Sequence, residues 1–275
     1  MTTAQDGYEY LQRQRRHERA MRIIRRWRLL DDEFMKRCLK DNIPAVECIL
    51  RIIMEMPTLQ VLSVKIEDTI PSLSGRGVRL DVHATDADGI EYDIEVQRAD
   101  KGAGCKRARF NSSMLDINSL SKGDDYEKLP RAYVIFITEN DVLGHKLPRY
   151  HIGRIIKETA EPFDDGAEII YVNGAYEADD DIGRLMNDFR SADPEDMYYK
   201  ELRDTVDRYK NNPVEVENMG KELESWIAEE RAEGHTEAIA ASIKNLMETM
   251  QITAEKAMDL LKVPSQDRSQ LMAML

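Results

Sequence analysis

Polar and apolar positions along the chain fall into three successive regimes. From about Tyr8 to Leu30 the pattern is helical and basic. Arg15, Arg19, Arg22 and Arg26 recur at steps of four and three and so share one face, while Met21, Ile24 and Leu29 supply a weaker apolar one. A second helix is predicted from about Asp31 through Cys38. A third follows Asn42-Ile43-Pro44, with Val46, Ile49, Leu50 and Ile53 as its buried stripe and Pro57 as its stop.

The period then changes from helical to alternating. Val61 to Glu67 is strand-like, and Ser72 to Gly77 reads as a loop. Val78, Leu80, Val82 and Ala84 alternate with Arg79, Asp81 and His83. Tyr92, Ile94 and Val96 alternate with Glu91, Asp93, Glu95 and Gln97. Asp86-Ala87-Asp88-Gly89 between the two runs is a turn signal. A helix is predicted over Cys105 to Ser121, closed by Lys122-Gly123. Arg131 to Thr138 is predicted as a central strand and Glu168 to Asn173 as a shorter one. From Asp180 the pattern is helical to the end, punctuated by Pro194, Pro213 and Pro264. Leu223, Trp226, Ile227, Ala238, Ile239, Ile243, Leu246 and Met250 form an amphipathic stripe interrupted by Gly234.

The register of the hairpin can be argued from parity. Residues opposite each other in an antiparallel pair share a face, and the polar positions are odd on both strands. A two-residue Asp88-Gly89 turn would set polar against apolar. A three-residue loop, Ala87-Asp88-Gly89, gives matching faces, with Gly89 left-handed at the bulge position. That register sets Asp81 across from Glu95 and Arg79 across from Gln97. Two facing carboxylates repel, and a shared proton, a neighbouring arginine or a divalent cation would offset the repulsion. The plain structural alternative is an acid-rich face turned to water.

Composition narrows the classes. The chain has 275 residues, 42% of them hydrophobic, and a net charge of −13. No apolar run is long enough to span a bilayer, and no signal peptide is evident, so a cytoplasmic protein without membrane contact is expected. Cys38, Cys48 and Cys105 lack C-x-x-C spacing and read as small buried residues. The five histidines lack zinc-ligand spacing. An acidic chain binds nucleic acid only through local patches. One candidate is the stretch Tyr10 to Leu30, with eight arginines and one acid. The expected division is a basic helix over 1–30, a central domain over 31–215 and a helical tail over 216–275. The tail is a candidate for homo-oligomer contacts or for docking on the core.

The runs Arg79-Leu80-Asp81-Val82, Asp86-Ala87-Asp88-Gly89 and Asp93-Ile94-Glu95-Val96-Gln97 resemble the PD-(D/E)XK nuclease family transposases, also called recombination-promoting nucleases. Lys106-Arg107-Ala108-Arg109-Phe110 and Lys122 to Leu129 agree with the resemblance, which extends over roughly residues 30–220. It implies an α/β restriction-endonuclease-like core of αβββαβ order. It also implies metal-dependent DNA cleavage, with Mg²⁺ (or Mn²⁺) held by Asp81, Glu95 and the backbone carbonyl of Val96. Gln97 stands where the superfamily name has lysine, as is common in this family. The missing positive charge is then sought among Arg79, Lys106, Arg107 and Arg109, and Glu47 is a candidate extra carboxylate.

Overall fold

The structure is a computed structural model. It describes the backbone of residues 2–71, 76–98, 100–264 and 267–274; the side chains of 2–10, 12, 13, 16, 100, 101, 226–237 and 270 lie outside the description. Residues 72–75 of the loop expected over Ser72 to Gly77 therefore lie outside the described residues, as do the side chains of Trp226 and Ile227 and the surroundings of Gly234 in the tail stripe.

The chain divides into two compact units. One comprises Met1–Arg22 with Glu217–Leu275, the other Ile23–Val216. Helix α1 (Thr2–Arg26) opens the chain. It is followed by α2 (Asp32–Leu39), α3 (Ile43–Met54), β1 (Val61–Ile70), β2 (Val78–Asp86), β3 (Glu91–Gln97), α4 (Cys105–Ser119), β4 (Ala132–Thr138), β5 (Arg149–Ile152) and β6 (Ala167–Asn173). Helices α5 (Asp181–Arg190), α6 (Lys200–Asn211), α7 (Pro213–Met250), α8 (Ala254–Leu260) and α9 (Arg268–Ala273) complete it.

The strands form one six-stranded mixed sheet in the order β1-β2-β3-β4-β6-β5. The first three make an antiparallel meander. β3, β4 and β6 run parallel, and β5 returns antiparallel at the edge. The run α3-β1-β2-β3-α4-β4 is the expected αβββαβ order, and the architecture is that of a restriction-endonuclease-like core. β4 is central, as its apolar sequence requires: Val134, Ile135, Phe136 and Ile137 are all fully buried.

Local chemistry fixes the elements around the hairpin. The Asn42 side chain accepts from the Ala45 N–H at the start of α3, with Pro44 in the first turn. The helix ends in left-handed Glu55, two residues before Pro57. The hairpin loop is the three-residue one. Gly89 has φ +79°, and the pairs Val82↔Ile94, His83↔Asp93, Ala84↔Tyr92 and Thr85↔Glu91 keep the register argued from parity. Asp86, 2% exposed, holds the turn: its carboxylate accepts from the backbone N–H groups of Asp88 and Ile90 and from the Tyr92 hydroxyl.

α4 lies over the sheet, with Ala108, Met114 and Leu115 packed against Val134, Phe136 and Tyr171. It ends at Ser119 with Leu120 extended, so Lys122-Gly123 belongs to the following turn rather than to the helix cap. β5 has no counterpart in the sequence reading. Cys105 is exposed, contrary to the expectation of three buried cysteines, whereas Cys38 is buried. In the helical unit Ala240 and Ile243 of α7 form a small core with Ala257, Met258, Val263 and Leu271. Ala238 and Met250 of the expected stripe are exposed instead. Among the described residues no helix is long and apolar enough to cross a membrane.

Candidate active site

The polar face of the hairpin does not meet water. Asp81 is 7% exposed, His83 6%, and Asp93 and Glu95 are fully buried. The structural alternative of a solvated acidic face is therefore overturned, because α4 covers it. Asn111 from α4 reaches both strand acids: its amide nitrogen lies 3.0 Å from Asp93 Oδ2 and 3.1 Å from Glu95 Oε1. Arg107, one helical turn earlier, donates to Glu95 Oε2 and to the Gly102 carbonyl.

β2 and β3 part company at the site. Their ladder stops at Val82↔Ile94, while Glu95, Val96 and Gln97 stay paired with Phe136, Ile137 and Thr138 of β4. Asp81 and Glu95 thus sit one step beyond the last paired rung, and Arg79 and Gln97 are not ladder partners. The Asp81 backbone N–H donates instead to the Glu95 carboxylate. On the far side of β2, Glu67 takes a positive φ of 54° between the pairs Ile66↔Val82 and Asp68↔Leu80, which breaks the alternation of β1 opposite Asp81.

The second side of the site comes from α2. Lys36, 5% exposed, sets its ammonium 2.8 Å from Asp32 Oδ2, 3.4 Å from Glu67 and 3.6 Å from Asp81 Oδ1. Burial alone would lower the Lys36 pKa, but the Asp32 hydrogen bond and the charges of Asp81, Asp32 and Glu33 raise it. The acids respond in the opposite sense. Burial, then the charge of Asp32, raises the Asp81 carboxyl against the pull of Lys36 and Arg107. Burial and Glu95 push Asp93 well up. Burial and Asp81 push Glu95 up to about 7. Three carboxyls with raised pKa values thus share one face, with burial the first cause in each.

Next to them, His83 Nδ1 lies 2.7 Å from Asp68 Oδ2, and its Nε2 lies 3.6 Å from Glu91, which also accepts from Ser119. Burial pulls the imidazole down, and the carboxylates of Glu91 and Asp68 more than reverse it.

Above the acids opens a cleft of about 790 Å³ whose wall carries Lys36, Arg76, Arg79, Lys106 and Arg107, with Asp81 and Gln97 in its lining. Glu95 sits behind Arg107 and does not reach the wall. Gln97 Nε2 is 3.5 Å from Glu95 Oε2. Its amide oxygen lies where a Cβ on Gly102 would fall, 1.9 Å away, so the side chain rests directly on that glycine.

Of the expected cations, Arg79, Lys106 and Arg107 line the cleft. Arg109 lines a separate hollow with Val142, Leu143 and Arg154, although Lys106 borders both. Arg15, Arg19 and Arg22 are exposed in the helical unit, and Arg26 is exposed in the sheet unit. Glu47 serves the fold rather than the site. It accepts from the Val61 N–H at the start of β1 and pairs with Arg51.

Sequence reasoning missed Lys36, Asn111 and Arg76. The signals were present in part. Asp32 and Lys36 stand four apart, as do Arg107 and Asn111, so each pair shares a helix face. Among the described residues no group of three or more His, Cys, Asp or Glu is arranged to hold a metal by itself.

Residues 47–175 match the family model described as PD-(D/E)XK nuclease family transposase. This segment, just under half of the chain, is similar to that family. It contains β1 to β6 and α4, and with them every residue of the hairpin site; Lys36 on α2 lies before it. The family supports a nuclease-like or transposase-like role, and its nuclease superfamily typically uses divalent metals. No curated protein and no solved structure matches the chain.

Proposed function

We propose that the chain is a metal-dependent endonuclease that hydrolyses phosphodiester bonds in DNA. The supporting observation is the meeting of Asp81, Asp93 and Glu95, all buried and all with raised pKa values, with Asp81 lining a cleft that also carries Lys36, Arg76, Arg79, Lys106 and Arg107 and the other two acids behind it. Three buried oxygens at the site, Asp32 Oδ1, Asp93 Oδ1 and Asn111 Oδ1, have no hydrogen-bond partner among the described residues. Hard, under-satisfied oxygen donors suit Mg²⁺, with Mn²⁺ as a substitute. In this reading Asp81, Glu95 and the Val96 carbonyl hold the ion. Among the described residues no larger cluster of acids gathers there, so water and substrate oxygens would supply the remaining ligands.

When bound, the cation supplies a lowered water pKa and stabilises charge on the phosphate. The chain's own groups do the rest. Gln97 can orient a water through its amide but adds no charge. Arg79, Lys106 and Arg107 attract and neutralise the DNA backbone, while Lys36 offsets the charge of Asp81. The arginines Arg15, Arg19, Arg22 and Arg26 add a further basic surface, and Arg109 a more distant cation. A cytoplasmic place, a part in recombination of mobile DNA, and self-association through the helical tail belong to the same proposal.

A second reading is favoured by one observation. Arg107 donates to Glu95, the acid proposed as a metal ligand, which suits a weakly catalytic or inactive DNA-binding module of this fold. Supercoiled plasmid incubated with Mg²⁺ or Mn²⁺, beside EDTA and the Asp81→Asn and Glu95→Gln variants, separates the two. Metal-dependent nicking lost in both variants supports the nuclease. DNA binding that persists in EDTA with no cleavage under either metal supports the binding module.

A further inference from the structure

Each strand acid that would hold the cation already has a basic partner, and the two partners are not equivalent. Lys36 faces Asp81 and is locked. Its side chain is 6% exposed, and it is held by Asp32 at 2.8 Å and Glu67 at 3.4 Å as well as by Asp81 at 3.6 Å. Arg107 faces Glu95 and is not locked. Its side chain is 40% exposed, it stands in the first turn of α4, and besides the charge of Asp81 its other partners among the described residues include one carbonyl and the Phe136 ring at 5.8 Å. The Glu95 carboxylate itself has no free oxygen. Oε1 accepts from Asn111, and Oε2 accepts from Arg107 and, at 3.5 Å, from Gln97.

We infer that Arg107 is an exchangeable counter-ion: a divalent cation displaces it from Glu95, and the freed guanidinium becomes a DNA-phosphate contact in the cleft. The inference rests on the proposed role of Glu95 as a metal ligand and goes beyond it by coupling two binding events. A guanidinium and a divalent cation compete for the same oxygen, so metal binding must loosen Arg107. The released side chain has a destination, because Arg107 already lines the cleft with Arg76, Arg79 and Lys106. Its planar fork suits a phosphate as well as it suits a carboxylate. By linkage, DNA that captures Arg107 must in turn tighten metal binding by the same factor. Lys36 stays in place throughout and keeps the acidic floor from carrying uncompensated charge.

The test uses the full chain and two readouts that need no catalysis. Mn²⁺ is titrated calorimetrically into the parent, Arg107→Met and Arg107→Lys without DNA. A fluorescent duplex is then titrated with each protein in Ca²⁺ and in EDTA. Arg107→Met should bind Mn²⁺ roughly tenfold tighter than the parent, since one competing charge is gone. It should also lose most of the Ca²⁺-dependent gain in DNA affinity, while Arg107→Lys stays near the parent in Mn²⁺ affinity. Equal Mn²⁺ affinity in parent and Arg107→Met, or an undiminished Ca²⁺ gain, overturns the inference while leaving the metal site standing. If the parent binds no Mn²⁺, or Glu95→Gln binds it equally well, the metal-site reading fails first and takes this inference with it.

Discussion

The amide nitrogen of Asn111 lies 3.1 Å from Glu95 Oε1 and is shared with Asp93 Oδ2 at 3.0 Å. One neutral donor thus holds two fully buried acids side by side. Replacing it by leucine keeps the bulk and removes the donor. Asn111→Leu should cost about 2–3 kcal/mol, the penalty for stranding buried acceptors. Urea unfolding of the metal-free protein reads it, and an unchanged midpoint would show that the pair is held by something else.

Glu95 gives the metal-free protein a pH-dependent stability. Its carboxyl rises from 4.5 to about 7 on folding, through burial and the charge of Asp81. Between those values the folded state keeps a proton that the unfolded chain gives up. Its stabilisation is complete below the lower value and lost as pH rises through the upper one. The urea midpoint in EDTA should therefore fall between about pH 5 and about pH 8. Glu95→Gln should flatten that fall. A parent whose midpoint rises over the same range contradicts the assignment.

Lys36 is the fixed charge beneath the cleft. Lys36→Met leaves Asp32, Glu67 and Asp81 without their shared partner and should destabilise by about 3–5 kcal/mol. Adding Asp81→Asn to that variant should recover part of the loss, and a double-mutant cycle measures it. Strict additivity of the two changes would mean that the 3.6 Å approach carries no energy.

Gly102 holds open the space that Gln97 fills. A methyl group there would fall 1.9 Å from the Gln97 amide oxygen, so Gly102→Ala should swing that side chain away with less than about 1 kcal/mol lost in stability. If Gln97 orients water, nicking should drop as far in Gly102→Ala as in Gln97→Ala. A fully active Gly102→Ala beside an inactive Gln97→Ala would show that Gln97 adapts to other positions.

Much of this was legible in the sequence because it is local. The alternation of Tyr92, Ile94 and Val96 and the left-handed demand at Gly89 fix a hairpin register without tertiary knowledge, and the ladder agrees. What was not legible depends on distant elements. Asp93 and Glu95 are buried only because α4 lies over them. That helix carries a polar seam, Arg107 and Asn111, in place of a clean apolar stripe. Lys36 meets Asp81 from a helix far back along the chain, which no periodicity reports. β5 went unseen because Arg149–Ile152 is four residues long, half polar and bounded by Pro148 and Gly153, which is how a short edge strand reads.

The Asp86 carboxylate grips the Asp88 and Ile90 N–H groups and the Tyr92 hydroxyl, at the opposite end of β2 from Asp81's cleft and away from its wall. That grip anchors β2 against β3 at the turn, alongside the ladders to β1 and β4, and a slip of one residue would turn every side chain of a strand to the opposite face. The spacing of the two acids is therefore set in part at the hairpin's far end, as the jaws of pliers are set by their pivot. Damage to Asp86 would disarm the site without touching any atom in it.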